Sequence, residues 1–311
     1  MRTVVVGLGQ RGRIHASIVG EDLVATVDPI NSSASHTDIR DLELNKIDCA
    51  IICTPENTKF DLIYFFLKNQ KHVLVEKPLL LTFDELKELE QLANEKSVVL
   101  KVAYNLRFES GIKNLKEELN RRKLGNVYIV RGFYGNGTAK NIKNSEWRDS
   151  KNAVATDLLV HLIDLMYYIF NDKNLKIEYF RQASIENLGA DDALLVGRVD
   201  QVIVTLEASY LSWQNRFSLQ VVGEKGTIKI DGLSKWKNHN YEKHVRVSPS
   251  GPPIISNECF DVPHVADELQ WEDFKENMRG RSKVSLEKDI QIASVLANLD
   301  ASFSERKLDV E

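Results

Sequence analysis

The sequence predicts an α/β protein: a doubly wound parallel sheet at the N-terminus, followed by an α/β domain with a large, mostly antiparallel sheet. Two observations favour this fold class. Up to about residue 105, short apolar runs typical of buried strands alternate with helical patterns, as in a parallel sheet covered by helices. Later, apolar and polar residues alternate with period two, which is typical of antiparallel strands with one solvated face. We place the domains at 1–120 and 121–311.

The N-terminal part alternates between strand and helix patterns. Its predicted strands are 3–6, 23–27, 49–53, 72–75 and 98–102. Helical patterns lie at 13–19, 59–69 and 82–95, and the last begins with Thr82 and Glu85 as a capping box. The strands end at Gly7, Asp28, Thr54, Glu76 and Tyr104. Because ligands bind beyond the carboxyl ends of the strands in open α/β sheets, we expect these positions to line one crevice.

A glycine-rich turn directly follows the first strand. It is the segment Gly7-Leu8-Gly9-Gln10-Arg11-Gly12. The first glycine permits a tight turn, the second lets the backbone approach a pyrophosphate, and the third lets helix and strand pack closely. Asp28 follows the second strand, where a carboxylate would bind a ribose 2′-hydroxyl. This order of strand, glycine turn, helix, strand and acid favours a Rossmann nucleotide-binding domain over an accidental turn.

The pattern changes in the second part of the chain. After a helix predicted at 111–122, apolar and polar residues alternate over 202–210 and 217–221, and a turn follows at 223–226. Such alternation predicts the hairpins of an antiparallel sheet. Two helical patterns, 267–278 and 286–303, end the sequence. This part is therefore expected to be a second domain.

Composition and charge disfavour several classes of function. The net charge is −4 and no basic cluster stands out, so nucleic acid is not an expected partner. No apolar run approaches the length of a membrane span, and a structural strand begins at Thr3, so we expect neither membrane insertion nor a signal peptide. Three cysteines argue against a disulfide framework and for a reducing compartment, which predicts a cytoplasmic protein.

Lys77 lies at the end of the fourth strand, in the segment Glu76-Lys77-Pro78. A lysine there is most simply a surface charge when it is considered alone. Its place at a strand end that faces the nucleotide crevice favours a functional role. The bond before Pro78 is able to adopt the cis form at modest cost, which would give Lys77 an unusual direction.

A second group of polar residues lies on the helix predicted at about 152–170. Asp157, His161, Asp164 and Tyr168 have spacings that place them in one stripe. The other positions are nearly all apolar, and no Lys or Arg occurs between residues 152 and 172, so the stripe is not an ordinary solvated face. A catalytic group competes with a buried structural network around His161. A metal site is disfavoured because no second histidine is near, and we expect no bound metal.

Several motifs occur together across both predicted domains. They are Gly7-Leu8-Gly9-Gln10-Arg11-Gly12-Arg13-Ile14-His15, Thr54-Pro55, Glu76-Lys77-Pro78, Tyr104-Asn105-Leu106-Arg107-Phe108, and Asp157 with His161-Leu162-Ile163-Asp164. Each motif alone is common, but the combination resembles the glucose–fructose oxidoreductase, inositol dehydrogenase and MocA family of NAD(P)-dependent oxidoreductases. Members similar to this chain oxidise or reduce a carbon of a sugar, cyclitol or sugar nucleotide.

The resemblance implies roles for individual residues. Lys77 and His161 would be catalytic and act on the substrate hydroxyl, and Asp157 matches the family aspartate four residues before the histidine. The Lys77–Pro78 bond is expected to be cis, with the Lys77 amine directed toward His161. The expected cofactor-binding residues are Gly7, Leu8, Gly9, Gln10, Arg11, Gly12, Asp28, Thr54, Pro55, Glu76, Lys77 and Asn105. The expected substrate-binding residues are Lys77, Arg107, Trp147, Arg148, Asp157 and His161.

The chain departs from the family pattern at a few positions. Asn152, Ala153 and Leu159 stand where the family usually has glycines, and Lys59 stands where it usually has a histidine. A bulkier helix beside the nicotinamide would reshape the substrate pocket or remove catalysis.

The favoured function is therefore NAD-dependent hydride transfer to or from a hydroxyl-bearing or keto carbon of a carbohydrate. NADP is less favoured because Asp28 would repel its 2′-phosphate, and the nearby Ser32 and Ser33 are neutral. The main alternative is a non-catalytic NAD-binding regulator or sensor of the same fold, and a carbohydrate-binding module is more distant. We expect a small-molecule carbohydrate as ligand and a homodimer or homotetramer formed through the second domain's sheet.

Overall fold

The computed structural model describes residues 1–144, 149–260, 262, 265–280 and 283–301. The chain divides into two compact units. The first consists of Met1–Asn105 together with Asp267–Ala293, and the second of Leu106–Ala266 with the described residues from 294 to 301. The domain limits 1–120 and 121–311 stay a prediction.

The first unit contains a five-stranded parallel sheet. Its strands are β1 (Thr3–Val6), β2 (Leu23–Val27), β3 (Cys49–Ile52), β4 (His72–Glu76) and β5 (Leu100–Ala103). Their spatial order is β2-β1-β3-β4-β5, and all neighbours are parallel. The helices between them are α1 (Gln10–Val19), α2 (Lys59–Lys68) and α3 (Phe83–Lys96). The capping box predicted for α3 is confirmed, since Thr82 and Glu85 bond each other's backbone N–H groups.

The second unit contains a mostly antiparallel eight-stranded sheet. Its helices are α4 (Ser110–Asn120), α5 (Ala139–Lys143) and α6 (Val160–Ile169). The strands are β6 (Val127–Gly135), β7 (Leu175–Ala183), β8 (Asp192–Val199), β9 (Val202–Ser209), β10 (Arg216–Gly223), β11 (Gly226–Asp231), β12 (Asn240–Val245) and β13 (Ile254–Cys259). They are ordered β13-β12-β11-β10-β6-β9-β8-β7. Within the described part of this sheet, only the pairing of β6 with β9 is parallel. The predicted fold class is confirmed.

The period-two pattern explains how this sheet folds. In β9, the side chains of Val204 and Leu206 are fully buried, whereas Ile203 before them and Glu207 after them are exposed. One face of the sheet therefore contributes to the core of the second unit, and the other face remains solvated. The alternation that predicted this strand is the direct consequence of that one-sided burial.

Helix α7 (Val265–Gly280) completes the core of the first unit, although it lies far from the Rossmann motif in the sequence. Its apolar residues Trp271, Phe274 and Met278 belong to the same buried cluster as Val5 and Leu74 of the parallel sheet. A final helix, α8 (Glu287–Ala301), follows. Within the described segments, no helix combines the length and apolar character needed to cross a membrane.

Candidate functional site

The glycine turn after β1 has the geometry that a bound pyrophosphate requires. Gly7 has φ +91°, and a Cβ on it would lie 2.7 Å from the carbonyl oxygen of Cys53. A Cβ on Gly12 would lie 1.8 Å from the carbonyl oxygen of Gly7, so both positions exclude any side chain. A Cβ on Gly9 would meet no atom within 4 Å. Gly9 therefore borders open space where a phosphate has room to approach the backbone.

Helix α1 begins at this opening and contributes its N-terminus. Gly9 is the N-cap residue, and no side chain caps the helix. The first N–H groups of a helix lack partners within the helix and carry partial positive charge, so they favour a bound anion. Together with the space beside Gly9, the uncapped helix fits the diphosphate of a dinucleotide. The backbone at Leu8, Gln10 and Arg11 belongs to the same turn.

Asp28 lies directly after β2, as predicted, and its carboxylate is held by the backbone. One oxygen accepts a hydrogen bond from the N–H of Leu8 at 2.7 Å, and the other accepts from Ile30 and Asn31 at 2.9 and 2.8 Å. Partial burial works to raise the pKa of Asp28, but these backbone hydrogen bonds outweigh it and lower the pKa below its usual value. Asp28 is thus a fixed negative charge beside the glycine turn.

Arg11 and Glu76 bind each other in a buried network. The guanidinium of Arg11 donates to Glu76 at 2.8 Å and to Asp267 at 2.8 Å, and His15 lies 2.7 Å from the same Glu76 oxygen. Burial alone would raise the pKa of Glu76, but the charge of Arg11 and the hydrogen bond with His15 lower it well below its usual value. Both predicted cofactor-binding side chains are therefore engaged with protein groups, and they connect α1, the end of β4 and α7.

The end of β5 is held by two residues of α7. The Asn105 amide donates to Asp267 at 3.0 Å. With its amide oriented to satisfy both partners, Gln270 accepts from the backbone N–H groups of Tyr104 and Asn105 at 3.0 Å each. Sequence reasoning missed Asp267 and Gln270, because a helix far along the chain gives no local signal that it packs under the first sheet.

The remaining predicted groups of the first unit lie at the ends of β3 and β4. Thr54 follows β3 and accepts a hydrogen bond from the hydroxyl of Thr58 at 2.9 Å, and Pro55 is exposed. Lys77 is half-buried at the end of β4. The prediction of a cis Lys77–Pro78 bond is confirmed. The direction of the Lys77 amine toward His161 stays a prediction.

In the second unit, the helix predicted at 152–170 is not regular. Residues Ala155–Leu159 form a π-helical turn, and α6 begins only after it. The wider turn changes the angular position of Asp157 around the helix axis. Asp157 therefore does not lie in line with His161 on one helix face, as α-helical spacing predicts. Single π turns inside helices occur frequently at functional sites. The single proton of the Tyr210 hydroxyl is shared between the Asp157 carboxylate at 3.2 Å and the Ala153 carbonyl at 3.0 Å.

His161 lies against an aromatic residue of β6. It is 7% exposed, and its ring centroid lies 5.6 Å from that of Tyr134. The exposed Lys235 donates to the Tyr134 hydroxyl at 3.1 Å and lies over the ring of Trp236 at 5.0 Å. The imidazole therefore packs against Tyr134, which in turn contacts Lys235, and the sequence analysis named neither of these two residues. Tyr210, in contrast, belongs to the segment 202–210 whose alternation was noted in the sequence, and it follows the buried residues at the end of β9.

Asp164 forms a buried ion pair with Arg107. Arg107 Nε contacts the two carboxylate oxygens at 2.8 and 3.1 Å, and its Nη2 adds a further hydrogen bond. Asp164 is 1% exposed, so the pair is shielded from water. The Arg107 guanidinium also lies 5.9 Å from the ring centroid of Tyr168. The structure therefore holds the predicted substrate ligand Arg107 against the helix that carries His161.

The departures from the family pattern are accommodated by the second unit itself. Leu159 is fully buried, Ala153 is 4% exposed, and Asn152 accepts a hydrogen bond from Gln182 at 2.9 Å. Trp147 and Arg148, the other predicted substrate ligands, lie outside the described residues. No group of three or more metal-ligating side chains is arranged to hold an ion within the part of the chain that the structure describes.

Comparison with known families agrees with this arrangement. Residues 1–104 match the family described as "Oxidoreductase family, NAD-binding Rossmann fold", and residues 112–229 match the C-terminal domain of the same GFO/IDH/MocA family. Together the two matches cover more than two thirds of the sequence. The chain belongs to the GFO/IDH/MocA family. The resemblance noted from the motifs is therefore confirmed, and the chain is an oxidoreductase with an NAD-binding Rossmann domain.

Relatives within the GFO/IDH/MocA family include dehydrogenases of cyclitols. The inositol 2-dehydrogenase/D-chiro-inositol 3-dehydrogenase of Lacticaseibacillus casei is 29% identical over 73% of this chain and 71% of its own length. The scyllo-inositol 2-dehydrogenase (NAD(+)) of Bacillus subtilis (strain 168) is 27% identical over 86% and 85%. The solved structure of the UDP-N-acetylglucosamine 3-dehydrogenase GnnA from Acidithiobacillus ferrooxidans has a TM-score of 0.76 and 20% identity, and covers 96% of both chains. This last similarity shows the fold.

Proposed function

We propose that the protein transfers a hydride between NAD and a hydroxyl-bearing carbon of a sugar, cyclitol or sugar nucleotide. The observation that carries the proposal is the glycine turn. It is closed to side chains at Gly7 and Gly12, open at Gly9, and flanked by the fixed carboxylate of Asp28. Two relatives are named for inositols, and a structural neighbour is named for a sugar nucleotide. These names support the substrate class.

NAD is preferred over NADP in this proposal because of the charge of Asp28. Backbone hydrogen bonds keep its carboxylate ionised, and an ionised carboxylate accepts from a ribose hydroxyl but repels a 2′-phosphate. Ser32 and Ser33, which follow in the same loop, are neutral and do not offset that repulsion. One relative is itself named for NAD(+).

Lys77, His161 and Asp157 are the proposed catalytic residues. During oxidation, the substrate hydroxyl gives its proton to an imidazole nitrogen of His161, and the ammonium of Lys77 stabilises the negative charge developing on the same oxygen. NAD, which the glycine turn and Asp28 would hold, would supply the nicotinamide that accepts the carbinol hydrogen with its electron pair as hydride. Asp157, held by the Tyr210 hydroxyl, contributes a carboxylate in the turn before His161.

Ordered side chains support these roles for the second unit. The ring of His161 packs against Tyr134, and the Arg107–Asp164 pair is buried one helical turn further along α6. Rigid neighbours of this kind hold a general base in one orientation. Arg107, Trp147 and Arg148 are the proposed ligands of the carbohydrate.

The second candidate, a sensor that binds NAD without turnover, is motivated by the residues that replace family glycines. Of these, Leu159 is fully buried and Asn152 bonds to Gln182. Because those side chains pack or form hydrogen bonds within the second unit, they do not indicate a loss of catalysis. We therefore rank the enzyme first.

We further propose that the protein is a cytoplasmic homodimer or homotetramer that associates through the solvated face of the eight-stranded sheet. That sheet exposes large apolar side chains, including Tyr179 at 52% and Ile203 at 40%. Cys49 is a free thiol that is fully buried in the core, and burial raises its pKa to about 12. Sedimentation that finds a monomer at micromolar concentration would contradict the assembly.

The test of this function replaces Lys77 with Ala and compares it with Lys87→Ala, an exposed lysine on α3. The substrates are myo-inositol, scyllo-inositol and UDP-N-acetylglucosamine with NAD, and the readout is the absorbance of reduced nicotinamide. Lys77→Ala should lower turnover roughly a hundredfold, the scale for loss of one preorganised charge-stabilising group. Its affinity for NAD should fall far less than its turnover, because Lys77 is only one of the expected cofactor contacts and those to the pyrophosphate and ribose lie elsewhere.

Two outcomes would contradict the proposal. Full turnover in Lys77→Ala would remove Lys77 from the mechanism. A parent protein that binds NAD but turns over none of the three substrates in either direction would favour the sensor.

A further inference from the structure

Lys59 is a buried lysine that the proposed reaction does not use. It is the first residue of α2 and is 2% exposed. A cation is unfavourable in the first turn of a helix, where the macrodipole is positive, and burial adds a desolvation cost. Burial lowers the pKa of Lys59, and the like charge of Lys77 adds to this effect, while Glu56 and Glu76 oppose it. A position this unfavourable for a cation calls for compensation by specific contacts.

Those contacts lead to the two residues that flank Lys77. The ammonium of Lys59 donates to the carbonyl oxygen of Glu76 at 2.7 Å, to the carbonyl oxygen of Pro78, and to the carboxylate of Glu56 at 2.8 Å. A lysine ammonium has three N–H donors, and these three acceptors account for all of them. Lys59 therefore has no remaining donor for a ligand, and its function is to hold the protein backbone.

Glu56 extends the same clamp by one further backbone group. Its second carboxylate oxygen accepts a hydrogen bond from the N–H of Leu80 at 2.5 Å. The Lys59–Glu56 pair thus binds the main chain before, directly after and three residues after Lys77. Because the segment after β4 has no ladder or helix of its own, these side-chain contacts fix its path.

We infer that Lys59, paired with Glu56, positions Lys77 for the reaction by clamping both carbonyls that flank it. The inference rests on the proposed function, in which Lys77 stabilises charge on the substrate oxygen. Lys59 is thus a positioning residue that acts through Lys77. An error of about 1 Å in the place of a catalytic group is able to cost roughly a hundredfold in rate.

The test compares Lys59→Met, which keeps the length of the side chain without its charge or donors, with two controls on the same helix. Lys68→Met makes the same substitution at the exposed end of α2. Ile63→Ala removes a fully buried side chain from the middle of α2 and supplies a loss of stability that is unrelated to Lys77. Lys59→Gln retains two N–H donors and should recover part of the clamp that Lys59→Met loses. It also replaces Lys59→Met in the same measurements if that variant does not fold.

The first readout needs no substrate. Hydrogen exchange of the backbone N–H of Leu80 should speed up at least roughly tenfold in Lys59→Met relative to both controls, because its acceptor Glu56 has lost its partner. The affinity for NAD should stay within about twofold, since the glycine turn and Asp28 are unchanged. Unchanged exchange at Leu80 would overturn the clamp.

The second readout is a double-mutant cycle with the inositol or sugar nucleotide that the parent oxidises. Lys59→Met should lower kcat roughly ten- to a hundredfold with a smaller change in KM, and should cost little more in the Lys77→Ala background. The inference would be overturned if Lys59→Met lost no more kcat than Ile63→Ala. It would also be overturned if the losses caused by Lys59→Met and Lys77→Ala added in full in the double variant. Full activity in Lys77→Ala would instead refute the proposed function, so the two failures are distinguishable.

Discussion

The two units differ in how the chain assembles their functional groups. In the first unit, the glycine turn and Asp28 come from a single strand–helix–strand segment at the start of the chain. In the second unit, His161 packs against Tyr134 of β6 and Asp157 binds Tyr210 at the end of β9. A contiguous segment carries its geometry in its spacing, whereas a dispersed site depends on the register of a whole sheet.

The units also differ in how many partners their buried arginine side chains bind. In the first, Arg11 is shared between Glu76 and Asp267 in an extended network that includes His15. In the second, the ion pair described for Arg107 is with Asp164. When one member of a network is lost, the remaining members still compensate the buried charge, so the Arg107–Asp164 pair should be more sensitive to loss of a partner.

The largest expected effect concerns His161 in the dispersed site. His161→Ala removes the proposed general base and should lower turnover by roughly a hundred- to ten-thousandfold, with NAD affinity unchanged. The matched control is His244→Ala on β12 of the same unit. Steady-state kinetics with an inositol as substrate make the comparison, and equal activity in both variants would show that His161 has no chemical role.

Next in size is the loss of the Arg107–Asp164 ion pair. Asp164→Asn removes the negative charge beside the buried guanidinium of Arg107 and should lower the free energy of unfolding by roughly 3 to 5 kcal/mol. The control, Asp200→Asn, breaks the exposed pair with Lys173 and should cost less than about 1 kcal/mol. Urea denaturation measures both values. Equal losses would mean that the burial of Asp164 has no energetic consequence.

The shared network gives a prediction of intermediate size that depends on pH. The pKa of Glu76 is lower in the folded protein than in the unfolded chain, so its charge stabilises the fold above about pH 4.3, and this contribution is lost as pH falls toward the folded pKa. Between neutral pH and a pH below about 4.3, the parent should therefore lose more of its free energy of unfolding than Glu76→Gln does. The exposed Glu178→Gln, which loses only a surface pair with Arg198, is the control. Parallel pH curves for Glu76→Gln and the parent would contradict this.

The smallest expected effect concerns cofactor choice in the contiguous segment. Asp28→Asn keeps the size of the side chain and removes its charge, so the ratio of NAD to NADP affinity should fall roughly tenfold. The parent should bind NAD more tightly. Fluorescence titration with both cofactors measures the ratio, and a parent that prefers NADP would overturn the role of Asp28.

The sequence predicted the contiguous parts well. The glycine turn, the acid after β2, the capping box of α3 and the alternation in β9 each follow from short-range spacing, and each is present in the structure. Such features need only a few neighbouring residues to satisfy sterics or one-sided burial, so a single sequence contains enough information.

The parts that were not predicted depend on contacts between distant segments. Trp271 and Phe274 of α7 complete the core of the first unit, yet their helical pattern does not say which sheet they cover. Tyr134 reaches His161 only because of how β6 lies within its sheet, and the π turn before α6 shifts Asp157 from its α-helical position. Spacing along the chain does not determine such packing.

The central claim is that this chain moves a hydride from a carbohydrate to NAD, and isotope transfer tests it most directly. The parent is mixed with NAD and with inositols or UDP-N-acetylglucosamine deuterated at the ring carbons, and mass spectrometry follows the nicotinamide. We expect deuterium on the reduced nicotinamide ring with the parent and roughly a hundredfold less with Lys77→Ala. Tight binding of NAD by the parent without any deuterium transfer would contradict the account.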